Sequence, residues 1–169
     1  MTPEQARFLL ETQLPGIEQE WETTKKVLLA IPDKNQDYRP DPKSKTALEL
    51  AWHIVSTEVW FLDGLIKGEF AMEETARPEN TETVAGMIAF YENTVPALVE
   101  KLKAVPDGKL AEDVNFFGLL SQPAVTYLMF LIVHSVHHRG QLSAYLRAMG
   151  GKVPSIYGGS ADEPFEMPS

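Results

Sequence analysis

Apolar residues recur every three or four positions in four separate stretches of this chain, and no segment shows the two-residue alternation of a half-buried strand. That period belongs to amphipathic helices packed on one another, so the framework is all-α. The first stripe runs through Leu10, Leu14, Ile17, Trp21, Leu28 and Ile31. Pro15 interrupts it. Proline removes a helical hydrogen bond and presses on the preceding turn, which predicts a short helix from Pro3 to Leu14, a bend, and a longer piece to residue 30. Thr46 with Glu49 makes a capping box for a second helix over 46–67, closed by Gly68. Val84, Tyr91, Val95, Leu98 and Leu102 predict a third over 81–104 with a kink at Pro96. Ser121 can cap a fourth over 122–149, with Pro123 in its first turn and Gly150-Gly151 after its end.

The connections read as loops. Pro32 to Lys45 is proline, aspartate and charge without apolar periodicity, and Lys109 to Leu120, with Phe116 and Phe117, is expected to pack as a structured loop. The tail over 150–169 has too much Gly and Pro for regular structure, although Ile156 and Tyr157 should hold part of it against the bundle. A chain of 169 residues, 44% of them hydrophobic, suffices for one core. The expected architecture is therefore a single domain over 1–169, a four-helix bundle with long loops and an irregular C-terminal tail.

Composition narrows the chemistry. A formal charge of −9 argues against nucleic acid or an anionic membrane as the main partner. Without cysteine there is no disulfide, iron–sulfur cluster, thiolate zinc site or cysteine nucleophile, so any metal must be held by His, Asp or Glu. No secretory leader and no apolar run near membrane-spanning length are evident, and a cytoplasmic location is expected.

The chain has 4 histidines, His53, His134, His137 and His138. On a helix His134 and His138 stand one turn apart, with Cβ atoms about 5–6 Å from each other, so both rings can reach one ion; His137 is displaced to the side. His53 shares an inward row of the second helix with Leu50, Thr57, Trp60 and Gly64. Neutral imidazoles facing a core are costly without partners, and a lone one is more often a hydrogen-bonded core residue than a ligand. Two at one-turn spacing with a third on an inward row favour a shared divalent cation, Zn²⁺ or Ni²⁺, with a coordination position left open. The Glu-x-x-His of di-iron bundles is missing, since Leu50 and Leu131 precede His53 and His134 by three. The zinc-protease pattern fails too, because Ser135 follows His134. Around the ligands, Gln141 and Tyr127 are candidates to line the pocket, and Arg139 is a candidate for binding a substrate carboxylate or for an ion pair. Glu49 can orient His53, although capping already explains it. Trp52, Trp60, Tyr91 and Tyr145 read as core.

The segments HSVHHRGQLSAYLRAMG, AWHIVSTEVWFLDGL and KVPSIYG resemble the DinB/YfiT-like family of metal-dependent helical bundles over nearly the whole chain. The resemblance implies a four-helix bundle, often a homodimer, with His53, His134 and His138 holding one zinc or nickel ion. It also implies transferases and isomerases that use low-molecular-weight thiols such as bacillithiol, mycothiol or glutathione. The expected function is a metal-dependent enzyme transferring such a thiol cosubstrate to an electrophilic small molecule: the ion lowers the thiol's pKa, and the thiolate attacks. The alternatives are a non-catalytic metal or small-ligand binding protein on the same scaffold and a metal-dependent hydrolase.

Overall fold

A computed structural model describes residues 1–73 and 75–165, so the last residues of the expected tail, 166–169, lie outside the described residues. Thr2 and Gln5 satisfy each other's free amides and start α1, Pro3–Leu29. Instead of the two pieces expected, α1 is one continuous helix through Pro15. An internal proline costs about 3 kcal/mol. Ala6, Leu10, Leu14, Ile17 and Trp21 are all buried and stay in phase across it. Each large apolar side chain so buried contributes about 1.5–3 kcal/mol, so the stripe outweighs the break.

The capping box expected at Thr46 and Glu49 opens α2, Ala47–Lys67, and Gly68 ends it with φ 77°, a left-handed conformation that costs glycine nothing. Thr83 caps α3, Val84–Lys103, which contains Pro96. The loop expected over 109–120 is more ordered than its composition suggested: α4, Asp107–Ala111, leads into an antiparallel hairpin of β1, Asp113–Phe116, and β2, Leu120–Pro123. Phe117 and Gly118 turn the hairpin with φ 55° and 75°, Leu119 N–H donates to the Phe116 carbonyl at 3.0 Å, and Asn115 Oδ1 accepts from Gly118 N–H at 2.6 Å. Four-residue strands are too short to display an alternation. Ser121 therefore lies in β2 and caps nothing. The last helix, α5, Tyr127–Ala148, begins after a 3₁₀ turn over Ala124–Thr126, later than its apolar run implied.

In the core α2 packs on α3 and α5, and α1 packs on α3 and α5. The all-α bundle stands, with the small hairpin added at one side. No helix among the described residues is long and apolar enough to cross a membrane. Part of the tail lies against the bundle as Ile156 and Tyr157 suggested: Ile156 packs on the core, the Tyr157 hydroxyl donates to Glu20 at 2.7 Å, and the ion pairs Lys26–Glu163 at 2.9 Å and Arg147–Asp162 at 2.8 Å tie the tail to α1 and the last helix.

One carboxyl among the described residues is fully buried. Glu58 is 1% exposed and accepts a hydrogen bond from the Tyr91 hydroxyl. Burial pushes its carboxyl up from 4.5 to about 7, against the opposing pull of the Ser135 and Tyr91 hydroxyls and of the Arg139 charge. A carboxyl whose pKa is higher folded than unfolded takes up a proton on folding. Its stabilisation is complete below about pH 4.5 and is lost as the pH rises through about 7. Glu58→Gln keeps an acceptor for Tyr91 and has nothing to titrate. Urea denaturation at about pH 5 and about pH 8 should show the wild type losing about 3 kcal/mol more than the variant; equal losses would refute the buried-acid assignment.

Candidate metal centre

Because α2 and α5 lie side by side, the inward row of α2 meets the histidine row of α5. His134 and His138, one turn apart, have ring centroids 4.4 Å from each other, and the His53 ring lies 4.9 Å from the first and 4.6 Å from the second. The three offer one ligand atom each within 4.8 Å of one another, and no other group among the described residues does so. His53 Nε2 and His134 Nε2 face each other at 3.2 Å. Two imidazole nitrogens bound to one tetrahedral zinc at about 2.0–2.1 Å stand about 3.3 Å apart, so the spacing fits a shared ion.

The opposite ring nitrogens decide which atom points inward. His138 Nδ1 lies 3.1 Å from Gln141 Oε1, whose amide nitrogen donates to the Tyr145 hydroxyl at 3.2 Å. An amide oxygen accepts only, so Nδ1 carries the proton and the Nε2 lone pair is left for a cation. Thr57 Oγ1 lies 3.4 Å from His53 Nδ1. His134 Nδ1 is buried with no partner among the described residues.

Protonation would abolish this donor set, and the surroundings oppose it. Burial, reinforced by the charges of His138, His53 and His137, drives His134 down from 6.5 to about 3. Burial likewise lowers His138, aided by His137 and Lys45 and resisted by Gln141. Both rings are neutral near pH 7, the state a metal ligand needs.

The other candidates fall differently. Gln141 touches a candidate ligand, as its place on the row suggested. His137 is exposed, 4.7 Å ring to ring from His138, and stays outside the cluster. Tyr127 does not line the pocket: it is buried, donates to the Val114 carbonyl at 2.8 Å and stacks on Phe116 at 5.6 Å, holding the hairpin to α5. Arg139 also leaves the site, since it faces α1 rather than a bundle end and binds Glu20, Thr24 and Tyr157. Glu49 is taken up by its cap on Thr46 N–H at 2.7 Å. Tyr91 and Tyr145 are core as expected, but Trp60 is not simply core. It stacks on Phe117 at 6.2 Å and forms the wall of a cleft of about 330 Å³ with His53, Thr57, Met72 and Phe117. The period of α2 identified the face of Trp60; what lies opposite depends on the hairpin, which sequence reasoning missed.

A family model for DinB proteins matches residues 11–166. The chain belongs to the DinB family. It is 32% identical over 158 residues to the uncharacterized protein YrdA of Bacillus subtilis (strain 168), covering 91% of each chain. It is 27% identical over 124 residues to YjoA of the same organism, covering 71% of this chain and 77% of that one. The crystal structure of a DinB-like protein from Bacillus cereus ATCC 10987 shares 32% identity with a TM-score of 0.72, over 87% of this chain and 97% of its own. The YjoA crystal structure, at 21% identity and a TM-score of 0.62 over 78% and 87%, shares the fold. This DinB chain thus combines the family's bundle with a three-histidine cluster able to hold a metal ion.

Proposed function

We propose that this DinB protein is a divalent-metal enzyme that transfers a low-molecular-weight thiol to an electrophilic small molecule, with His53, His134 and His138 as ligands of zinc or nickel. The observation that carries the reading is three imidazoles aimed at one point, two of them held neutral by their surroundings, beside a cleft lined by Trp60, Met72 and Phe117. A divalent ion at that point supplies Lewis acidity that brings a thiol's pKa toward neutrality. Gln141 and Thr57 keep the His138 and His53 rings in place. Trp60 and Phe117 offer flat apolar faces on which an aromatic electrophile can lie, with water displaced from its reacting carbon. The new bond joins sulfur to that carbon, the leaving group departs with the bonding pair, and the thiol proton passes to solvent. The chain has no cysteine of its own, so sulfur must arrive as a cosubstrate.

The test is a panel of cellular thiols with a chlorinated nitroarene and the zinc- or nickel-loaded protein. Arene consumption should require both thiol and metal and should vanish in His138→Ala while helical content is kept. Saturable binding without turnover across the panel would reject the transferase reading in favour of a binding protein.

A further inference from the structure

His53 and Ser56 line a second cavity, of about 360 Å³, on the other side from Trp60 and Phe117. The character of this one is different. Arg39, Lys43 and Lys45 come to it from the loop between α1 and α2, and Arg77 comes from the segment before α3. The loop is held in shape over the start of α2: Tyr38 N–H donates to the Asn35 carbonyl at 3.0 Å, Ala47 N–H to the Tyr38 carbonyl at 2.9 Å, and Leu48 N–H to the Gln36 carbonyl at 3.2 Å. Asn35 takes φ 65° there, and the Tyr38 ring meets Tyr145 edge-on at 5.6 Å. Arg77 is fixed by the Thr81 carbonyl at 2.8 Å and lies over the Trp52 ring at 5.3 Å.

None of these four cations is in an ion pair among the described residues, whereas Arg7, Lys25, Lys26, Lys67, Lys103 and Arg147 each have a carboxylate partner. The one carboxylate in the cavity's lining, Glu49, is hydrogen-bonded to the Thr46 amide and feels the charges of Arg39 and Lys45, so four cations face a single anion and positive charge is in excess. A chain of net charge −9 therefore gathers unpaired positive charge at one concavity, and that concavity opens on a histidine of the candidate centre.

We infer that this cavity holds an anionic group of the cosubstrate, a carboxylate or a phosphate, and so delivers the cosubstrate's sulfur to the histidines while the uncharged electrophile enters on the Trp60 side. The inference rests on the transferase reading for the sulfur, but not for the anion. Guanidinium and ammonium groups around one cavity suit oxyanions, and the two clefts meeting at His53 let an anionic and an apolar reactant approach from different sides.

Calorimetry tests it with mercaptosuccinate, succinate, glycerol phosphate and uncharged thioglycerol on the zinc-loaded and on the metal-free protein, and with succinate and glycerol phosphate on His138→Ala. Mercaptosuccinate should bind more tightly than thioglycerol, and whichever of succinate and glycerol phosphate competes with it identifies the oxyanion. The triple variant Arg39→Gln, Lys43→Gln, Lys45→Gln should bind these anions about tenfold more weakly or worse, with thioglycerol unaffected, because all three side chains are exposed and charge-assisted hydrogen bonds are lost. His138→Ala should keep the anion affinity. Equal affinity of wild type and triple variant for mercaptosuccinate overturns the inference. Anion binding that falls in the triple variant while zinc makes no difference to either thiol sustains the anion pocket and rejects the transferase reading.

Discussion

Replacing His134 with alanine should weaken zinc or nickel binding by about a hundredfold or more and leave the helical content of the bundle unchanged. The bound is conservative, because losing only a hydrogen-bond partner behind a ligand costs about 10–100-fold and here a ligand itself goes. His134 stands 3.2 Å from His53 through their Nε2 atoms and one turn from His138. Without it the remaining pair is a two-nitrogen site open to water. The bundle should not notice, since its core is a continuous set of apolar side chains from α1, α2, α3 and α5 that needs no ion to close. Metal analysis of untagged protein, with a competing chelator for affinity and circular dichroism for folding, checks both halves. Retention of a full equivalent of metal by the variant would exclude these three residues as the centre.

Arg139→Ala should be the most destabilising single substitution near the site, at about 3–5 kcal/mol, or about 10 °C in Tm. Arg139 is 1% exposed. Its guanidinium donates to the Glu20 carbonyl at 3.0 Å and to Thr24 Oγ1 at 3.2 Å, and also to the Glu20 carboxylate and the Tyr157 hydroxyl. The Tyr157 hydroxyl in turn donates to Glu20 at 2.7 Å. Truncation leaves a cavity and takes the partner from buried Thr24. Arg139→Lys should recover only part of the loss, because an ammonium cannot reach acceptors spread across a planar fork. Thermal denaturation of the two variants decides the matter; a shift under about 2 °C for alanine would mean that water replaces the whole network.

Much of this was legible in the sequence because it was periodic or locally signalled. The capping box at Thr46, the stripes of α2 and α3, and the alignment of His53 with His134 and His138 all follow from repeats of three and four, and the structure brings those three rings together. What could not be read depends on distance along the chain. Arg139 was ambiguous because its acceptors sit on α1, 119 residues away. The basic cavity joins residues 39–45 to Arg77 through loops without a period. Pro15 misled because its local cost was visible while the burial that overrides it was spread along α1. The hairpin escaped because its turn places a phenylalanine at φ 55°, where glycine or asparagine would have advertised it.

That turn has a further consequence. The ring facing Trp60 sits at the exposed tip of a short ribbon whose base is anchored in the core through Val114 and through Phe116, which stacks on Phe61 and Tyr127. On the proposed function, selectivity falls to the exposed tip of the ribbon, while foldedness rests on its base and on the helices. Residues 117–119 can be exchanged to reshape which guests are admitted, without renegotiating how the helices meet.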